Sequence, residues 1–222
     1  MLVAIEGADG AGKHTAATRL CGSLNAAGRR AIVIAFPRYG ETIGGITIGR
    51  FLAGELPVPV TPRAAAVLYA LDRLESRDAI LTAAEAHDVV IFDRYLASNM
   101  AYQAAKVAPE EARAMMDWIL ALETERFALP LPALSIYLDT PWEIARALIL
   151  QKARRSYTER DYDEHEADVA LQQRVRANYE AMVEAGLAGP WRVVAASDAG
   201  TMRAPDAIVT EIRAQMESIS SR

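Results

Sequence analysis

Five largely apolar runs, at 2–5, 31–36, 89–92, 134–138 and 191–196, interrupted only by Ser135 and Arg192, punctuate the chain. Between them apolar residues recur every three or four positions. The runs read as buried strands and the spacers as helices. The first spacer opens at Lys13 and runs to about 27, with Ala16, Ala17, Leu20 and Leu24 on one face and Gly28 as its stop. Residues 37–61 are loop-rich, with Gly40, Gly44, Gly45, Gly49, Pro57 and Pro59, and hold one short helix near 46–52. Thr61 as N-cap and Pro62 at the first helical position open a long helix over 62–85. Helices follow at 96–104 and 110–127. Asp139-Thr140-Pro141 starts another by the same capping logic, and 151–162 is a charged break. A helix to about Glu184 then buries Leu171, Val175, Tyr179 and Met182, and an amphipathic helix closes the chain at 205–219.

Strand alternates with helix throughout, and the strands are solid apolar runs rather than alternating ones. That pattern predicts an α/β fold, a parallel sheet covered on both faces. Ligands of such sheets gather at the carboxyl ends of the strands. Gly7 onward, the tetrad Phe36-Pro37-Arg38-Tyr39, and Asp93-Arg94-Tyr95 all fall there.

Composition narrows the function. The 222 residues carry no internal repeat and no linker, so one domain over 1–222 is expected. About half are apolar, and no apolar run approaches the roughly 20 residues that span a bilayer. The chain opens directly into a strand without a signal peptide's charged start, and the single Cys21 fits a reducing compartment, so a cytoplasmic location is expected. A net charge of −5 speaks against a general nucleic-acid binder. An acidic protein that handles phosphates must gather its cations locally, which makes clustered arginines informative.

The strongest chemical signal is Gly7-Ala8-Asp9-Gly10-Ala11-Gly12-Lys13 between the first strand and the first helix. Glycines let backbone N–H groups turn inward around an anion, the helix N-terminus adds partial positive charge, and Lys13 adds a full one. This loop, 7–15, is expected to bind a nucleoside triphosphate. His14 stands where a Mg²⁺-binding hydroxyl is usual, with Thr15 one place late.

Asp93 reads as an acid assisting Mg²⁺ or as a strand-end cap, and the neighbouring phosphate loop favours the first. Arg94 reads as a phosphate ligand or a structural ion pair. A kinase acting on a hydroxyl gains from a carboxylate base near the acceptor, whereas one acting on a phosphate needs cations instead. The second strand ends in Arg38, with no acid before Glu41, which tilts the reading to a phosphate acceptor. Lys152, Arg154, Arg155 and Arg160 form a solvated turn or an arginine-rich lid closing over the triphosphate; the phosphate loop has no arginine, which favours the lid. Asp163 and Glu166 are spaced to face one site, and with Mg²⁺ could order the acceptor phosphate, while His165 lines that pocket or faces solvent. Asp9 inside the phosphate loop needs a metal, a cation or a sugar hydroxyl beside it.

IEGADGAGKHT, FPRYG, LYALDR, DRYLASNMAYQ and DEHEADVALQQRV together resemble bacterial thymidylate kinases, particularly those of actinobacteria, and do so collinearly from Leu2 to about Ala195. The resemblance implies a P-loop NTPase fold with a five-stranded parallel sheet, and a reaction of ATP with dTMP giving ADP and dTDP with Mg²⁺. It implies that Lys13 and the backbone around Gly10, Ala11, Gly12, His14 and Thr15 hold the donor phosphates. Asp9 would meet the sugar 3′-hydroxyl or the metal, with Asp93, Asp163 and Glu166 serving the metal and acceptor region. Phe36 and Tyr69 would pack on thymine, Arg73 bond the base, Asn99 read its amide edge and Tyr102 exclude ribose. Arg38 and Arg94 would grip the acceptor phosphate, with Tyr39 and His165 also at the acceptor site. Arg154, with Arg155 or Arg160, would stabilise the transferring phosphoryl. The family further implies a homodimer. Two rivals stay open: a deoxynucleoside kinase, and a nucleotide-binding switch module that would ignore dTMP.

Overall fold

The computed structural model describes residues 1–155, 169–198 and 200–220, with backbone alone at 149–155 and 220. Strands β1 (Leu2–Glu6), β2 (Ala31–Ala35), β3 (Val89–Asp93), β4 (Leu134–Asp139) and β5 (Trp191–Ala195) form one parallel sheet in the order β2-β3-β1-β4-β5. The apolar runs of the three central strands have the expected cause, because β1, β3 and β4 bury both faces, while the edge strands β2 and β5 stay partly exposed. Val3, Ile5, Val89, Ile91, Leu134, Ile136 and Leu138 pack on one side against α1 (Lys13–Ala26) and the closing helix α9 (Pro205–Ser220). Alternate residues Ala4, Val90, Phe92, Tyr137 and Trp191 point the other way. Each fully buried aliphatic side chain contributes about 1.5–3 kcal/mol, so the sheet is a rigid base for the loops at its carboxyl edge. A small antiparallel pair, β6 (Ser197–Asp198) with β7 (Thr201–Met202), follows β5.

Five expected elements differ from those formed. The short helix α2 spans Ile43–Leu52, starting earlier because the Thr42 hydroxyl accepts from Gly45 N–H at 2.8 Å. The long helix over 62–85 is two, α3 (Pro62–Glu75) and α4 (Arg77–Ala86). At the junction the Ser76 hydroxyl donates to the Asp72 carbonyl (2.8 Å), which also receives Ser76 N–H (3.2 Å), and accepts from Arg38 Nη1 (3.2 Å). After α5 (Leu96–Ala104), residues 110–127 form a 3₁₀ turn (Pro109–Glu111), helix α6 (Ala112–Ala121) and a π turn (Leu122–Arg126) closed by Phe127 N–H on the Leu122 carbonyl at 3.1 Å.

Helix α7 runs from Trp142 to Arg155, into the segment read as a break. Its expected cap is also replaced. The Thr140 hydroxyl is buried without a partner among the described residues, and the Pro141 carbonyl receives Ile144 and Ala145 N–H instead. Helix α8 is Val169–Ala185, burying Leu171, Val175, Tyr179 and Met182 as the spacing requires.

Candidate active site

The phosphate loop joins β1 to α1 with Gly7, Gly10 and Gly12 all at positive φ (147°, 76° and 84°). At Gly10 a side chain is barred twice, by that φ and by the backbone carbonyl of Ala145, onto which a Cβ would fall. The loop tip is thus packed on α7. Gly12 is the N-cap of α1, which has no side-chain cap and no acid in its first turn. The protein therefore leaves the positive end of that helix un-neutralised, as anion binding requires.

Lys13 is buried, and its Nζ donates to the Ala8 carbonyl at 2.6 Å. Burial and then the nearby Arg94 guanidinium depress its pKa, only partly offset by Asp9, Asp93 and Glu6, to about 7. An incoming anion would restore the charge. His14 and Thr15 are exposed on the first turn of α1. His14 Nδ1 lies 3.1 Å from Asp93 Oδ2, so the residue occupying the usual hydroxyl position reaches the carboxylate that ends β3.

Arg94 follows that carboxylate at φ 66°, a left-handed conformation uncommon for a side-chain-bearing residue and typical of functional positions. Its N–H bonds the Ile5 carbonyl at 3.1 Å, and its guanidinium pairs with Asp9 and lies 5.5 Å from the Tyr102 ring centroid. Gln172 on α8 also donates to Asp9, at 3.1 Å. Burial pushes the Asp9 carboxyl upward, but Arg94 and Lys13 outweigh it and hold the group at about 2. Below this pair Glu6 is fully buried, accepting from Tyr95 N–H (2.8 Å), Ser98 Oγ (2.6 Å) and Tyr179 Oη (3.0 Å); burial raises its pKa. This knot ties β1 to α5 and α8 and fixes where Arg94 can stand.

A cavity of about 150 Å³ opens beside the Arg94–Asp9 pair. Eight of the sequence-predicted residues line it: Asp9, Phe36, Tyr39, Tyr69, Arg73, Arg94, Asn99 and Tyr102. Phe36 is buried against Phe92 and Tyr95, while Tyr39 is 51% exposed at the rim. Arg73 is buried and stands 5.9 Å from the Phe36 ring centroid. Burial disfavours its charge, yet Glu123 outweighs that and raises its pKa.

Arg38 is not among the lining residues. Its guanidinium bonds Ser76 and pairs with Glu41, and its N–H donates to Asp72 at 3.0 Å. The backbone of Arg154 and Arg155 lies on the last turn of α7, with their side chains outside the described residues. Arg160, Asp163, His165 and Glu166 lie outside them altogether. Among the described residues no three His, Cys, Asp or Glu side chains cluster as a metal site. A second cavity, of roughly 260 Å³, lies between α7 and α8 and holds none of the predicted site residues.

Ser98, Gln103 and Lys106 also line the first cavity, and Glu123 stands behind it. Sequence reasoning missed all four. Two had a signal: Gln103 is four residues after Asn99 on one helix, hence on the same face. Glu123 continues the buried stripe of Met115 and Ile119 at the same spacing, an acid where an apolar residue belongs.

A family model described as Thymidylate kinase matches residues 5–199. A thymidylate kinase of Mycobacterium tuberculosis is 39% identical over 206 residues, covering 92% of this chain and 96% of that one. One of Bifidobacterium longum subsp. infantis is 40% identical over 124 residues, 53% of this chain and 52% of that one. Among solved structures, a thymidylate kinase from Candida albicans matches with a TM-score of 0.73 at 22% identity, covering 98% of this chain and 91% of that one. That last likeness speaks for the fold, a P-loop NTPase fold.

Proposed function

The chain belongs to the thymidylate kinase family, and we propose from that premise how its own residues carry the reaction, phosphoryl transfer from ATP to dTMP giving ADP and dTDP. The observation that carries the reading is the shape and charge of the first cavity. An aromatic wall (Phe36, with Tyr69) and two hydrogen-bonding side chains (Arg73, Asn99) lie at one part of it, and the Arg94–Asp9 pair beside the phosphate loop at another. A pyrimidine fits the first part, and a 5′-phosphate the second. Tyr102, packed on Arg94, crowds the sugar between them and favours a deoxyribose.

Two polyanions must be brought together, so catalysis is positioning and charge neutralisation, with no general base: the acceptor oxygen is already largely ionised at neutral pH. Arg94 meets the acceptor phosphate, with Asp9 turning to the sugar hydroxyl. Lys13 and the N–H groups of Gly10, Gly12, His14 and Thr15 hold the donor phosphates. Arg154, with Arg155 or Arg160, supplies charge to the transferring group from a lid over about 151–162. Arg38 could join the acceptor phosphate by leaving Glu41, and Asp163, His165 and Glu166 complete the acceptor side.

Mg²⁺ fits this donor set as a phosphate-bound ion. Asp93 ends β3 beside the loop and its carboxylate is bonded, among the described residues, only by the exposed His14 side chain, whereas Asp9 is already committed to Arg94 and Gln172. The ion would neutralise the triphosphate. A homodimer is supported by exposed apolar residues on two helices packed together, Ile43 and Ile46 on α2 and Val67 on α3. A net charge of −5 speaks against a nucleic-acid partner, and the single Cys21 fits a cytoplasmic location; among the described residues no helix is long and apolar enough to cross a membrane.

Steady-state assays with dTMP, dUMP, the ribonucleotide TMP and thymidine test this reading. dTMP is expected to be the fastest acceptor. Faster turnover of thymidine, or ADP release indifferent to dTMP, would overturn it.

A further inference from the structure

Glu123 is fully buried on the π turn that follows α6, and its carboxylate is shared by two cavity-lining residues. Oε2 accepts from Arg73 Nε at 2.5 Å, and Oε1 from Arg73 Nη2 at 2.6 Å. Oε1 also accepts from Asn99 Nδ2 at 2.8 Å. The second Nδ2 proton goes to the Ala66 carbonyl at 3.0 Å. Both amide protons of Asn99 are therefore spent on the protein, and its Oδ1 is buried with no partner. Turning the amide over would set Oδ1 against two acceptors, the Glu123 carboxylate and the Ala66 carbonyl, so the group has one orientation. Arg73 is likewise bonded through Nε and one Nη2 proton and covered by Phe36, which leaves the Nη1 protons and the second Nη2 proton as its remaining donors among the described residues.

We propose that Glu123 is a positioning residue that selects the acceptor base: by holding Asn99 with its oxygen, and Arg73 with one N–H, toward the cavity, it makes the wall complementary to a pyrimidine with N3–H and a 4-carbonyl. This rests on reading the cavity as the dTMP site. A base with an unprotonated N3 and a 4-amino group presents the opposite order. Acceptor would face acceptor and donor would face donor, both buried, and buried unpaired groups of this kind reject an analogue far more strongly than a lost methyl does. The π turn fits the role, since such turns recur at functional sites. On it the Glu123 carboxylate touches both readers at once.

The test compares kcat/KM for dTMP and dCMP in wild type, Glu123→Gln and Glu123→Asp, each checked for folding by circular dichroism and melting. The wild type is expected to prefer dTMP strongly. In Glu123→Gln a carboxamide offers one acceptor instead of two, the Asn99 amide can turn, and the dTMP-to-dCMP ratio should fall about tenfold or more, the value of one such contact. The loss should come as higher KM for dTMP with kcat largely kept, together with gained turnover of dCMP; a merely structural role would lower both substrates alike. In an Asn99→Ala background, where there is no amide to orient, Glu123→Gln should change the ratio less than it does in wild type. Should Glu123→Gln not fold, Glu123→Asp reports instead, because it keeps the charge but withdraws the carboxylate from Asn99, and the ratio should again fall. A folded variant whose ratio stays at the wild-type value overturns the proposal, as does a wild type that uses both nucleotides equally. Absence of dTMP turnover in the wild type would instead defeat the reading of the cavity itself.

Discussion

The acceptor cavity and the phosphate loop lie side by side at the sheet edge, yet they hold their charges in opposite ways. In the cavity each guanidinium is already paired: Arg73 with Glu123, and Arg94 with Asp9. The loop lends Asp9 to that pairing, but its own cation has no carboxylate bonded to it among the described residues. Lys13 is turned onto a backbone carbonyl with its pKa drawn down to about 7, and the N-terminus of α1 has neither cap nor acid. Paired charges fix orientation before a ligand arrives, at the cost of desolvating both partners. An unpaired helix end and a depressed lysine instead gain most when a polyanion completes them. The acceptor side is therefore built to select, and the donor side to be completed by its ligand.

Substitutions can separate the two sides. The largest effect is expected at Lys13: Lys13→Met should lower kcat by about 10²–10³, yet leave dTMP affinity in the absence of ATP unchanged by calorimetry. Lost dTMP binding would break the distinction. Next, Arg94→Met should lower kcat/KM for dTMP about 10²-fold through KM, because the phosphate ligand goes and Asp9 is left without its counter-charge; thymidine, which has no phosphate, should bind almost as before. Gly10→Ala should cost about 2–4 kcal/mol in chemical denaturation, a left-handed backbone penalty plus overpacking on Ala145, without altering dTMP affinity.

The smallest effect is a pH dependence. Asp9 titrates at about 2 in the folded chain against 3.8 ordinarily, so its contribution is complete above pH 4 and lost as pH falls through 2. Over that window wild type should lose about 2 kcal/mol that Asp9→Asn does not lose. Parallel acid curves would detach Asp9 from Arg94.

What could be read in the chain follows the same divide. The strands, the glycine loop and the Asp93-Arg94 strand end are local patterns, written in consecutive residues, and the structure forms them where the spacing requires. Phe36, Tyr69, Arg73, Asn99 and Tyr102 came from motif resemblance, and they converge on one cavity. The helix break falls at Ser76, which is bonded by Arg38 38 positions away, and no periodicity of 62–85 marks it. Arg38 itself read as a free cation because its partnership with Glu41 and Ser76 needs the turn in three dimensions. Glu123 had a local mark, an acid on an apolar stripe, but its meaning lies in Arg73 and Asn99, 50 and 24 residues off.

The central claim is that a folded, paired-charge acceptor site exists before the donor arrives. Calorimetric titration of dTMP into the protein without ATP or Mg²⁺ tests it most directly. The account predicts one site per chain, with dTMP bound about tenfold or more tighter than thymidine, since one charge-assisted phosphate contact distinguishes them. Heat that develops only after ATP and Mg²⁺ are added, or equal affinity for dTMP and thymidine, would contradict it.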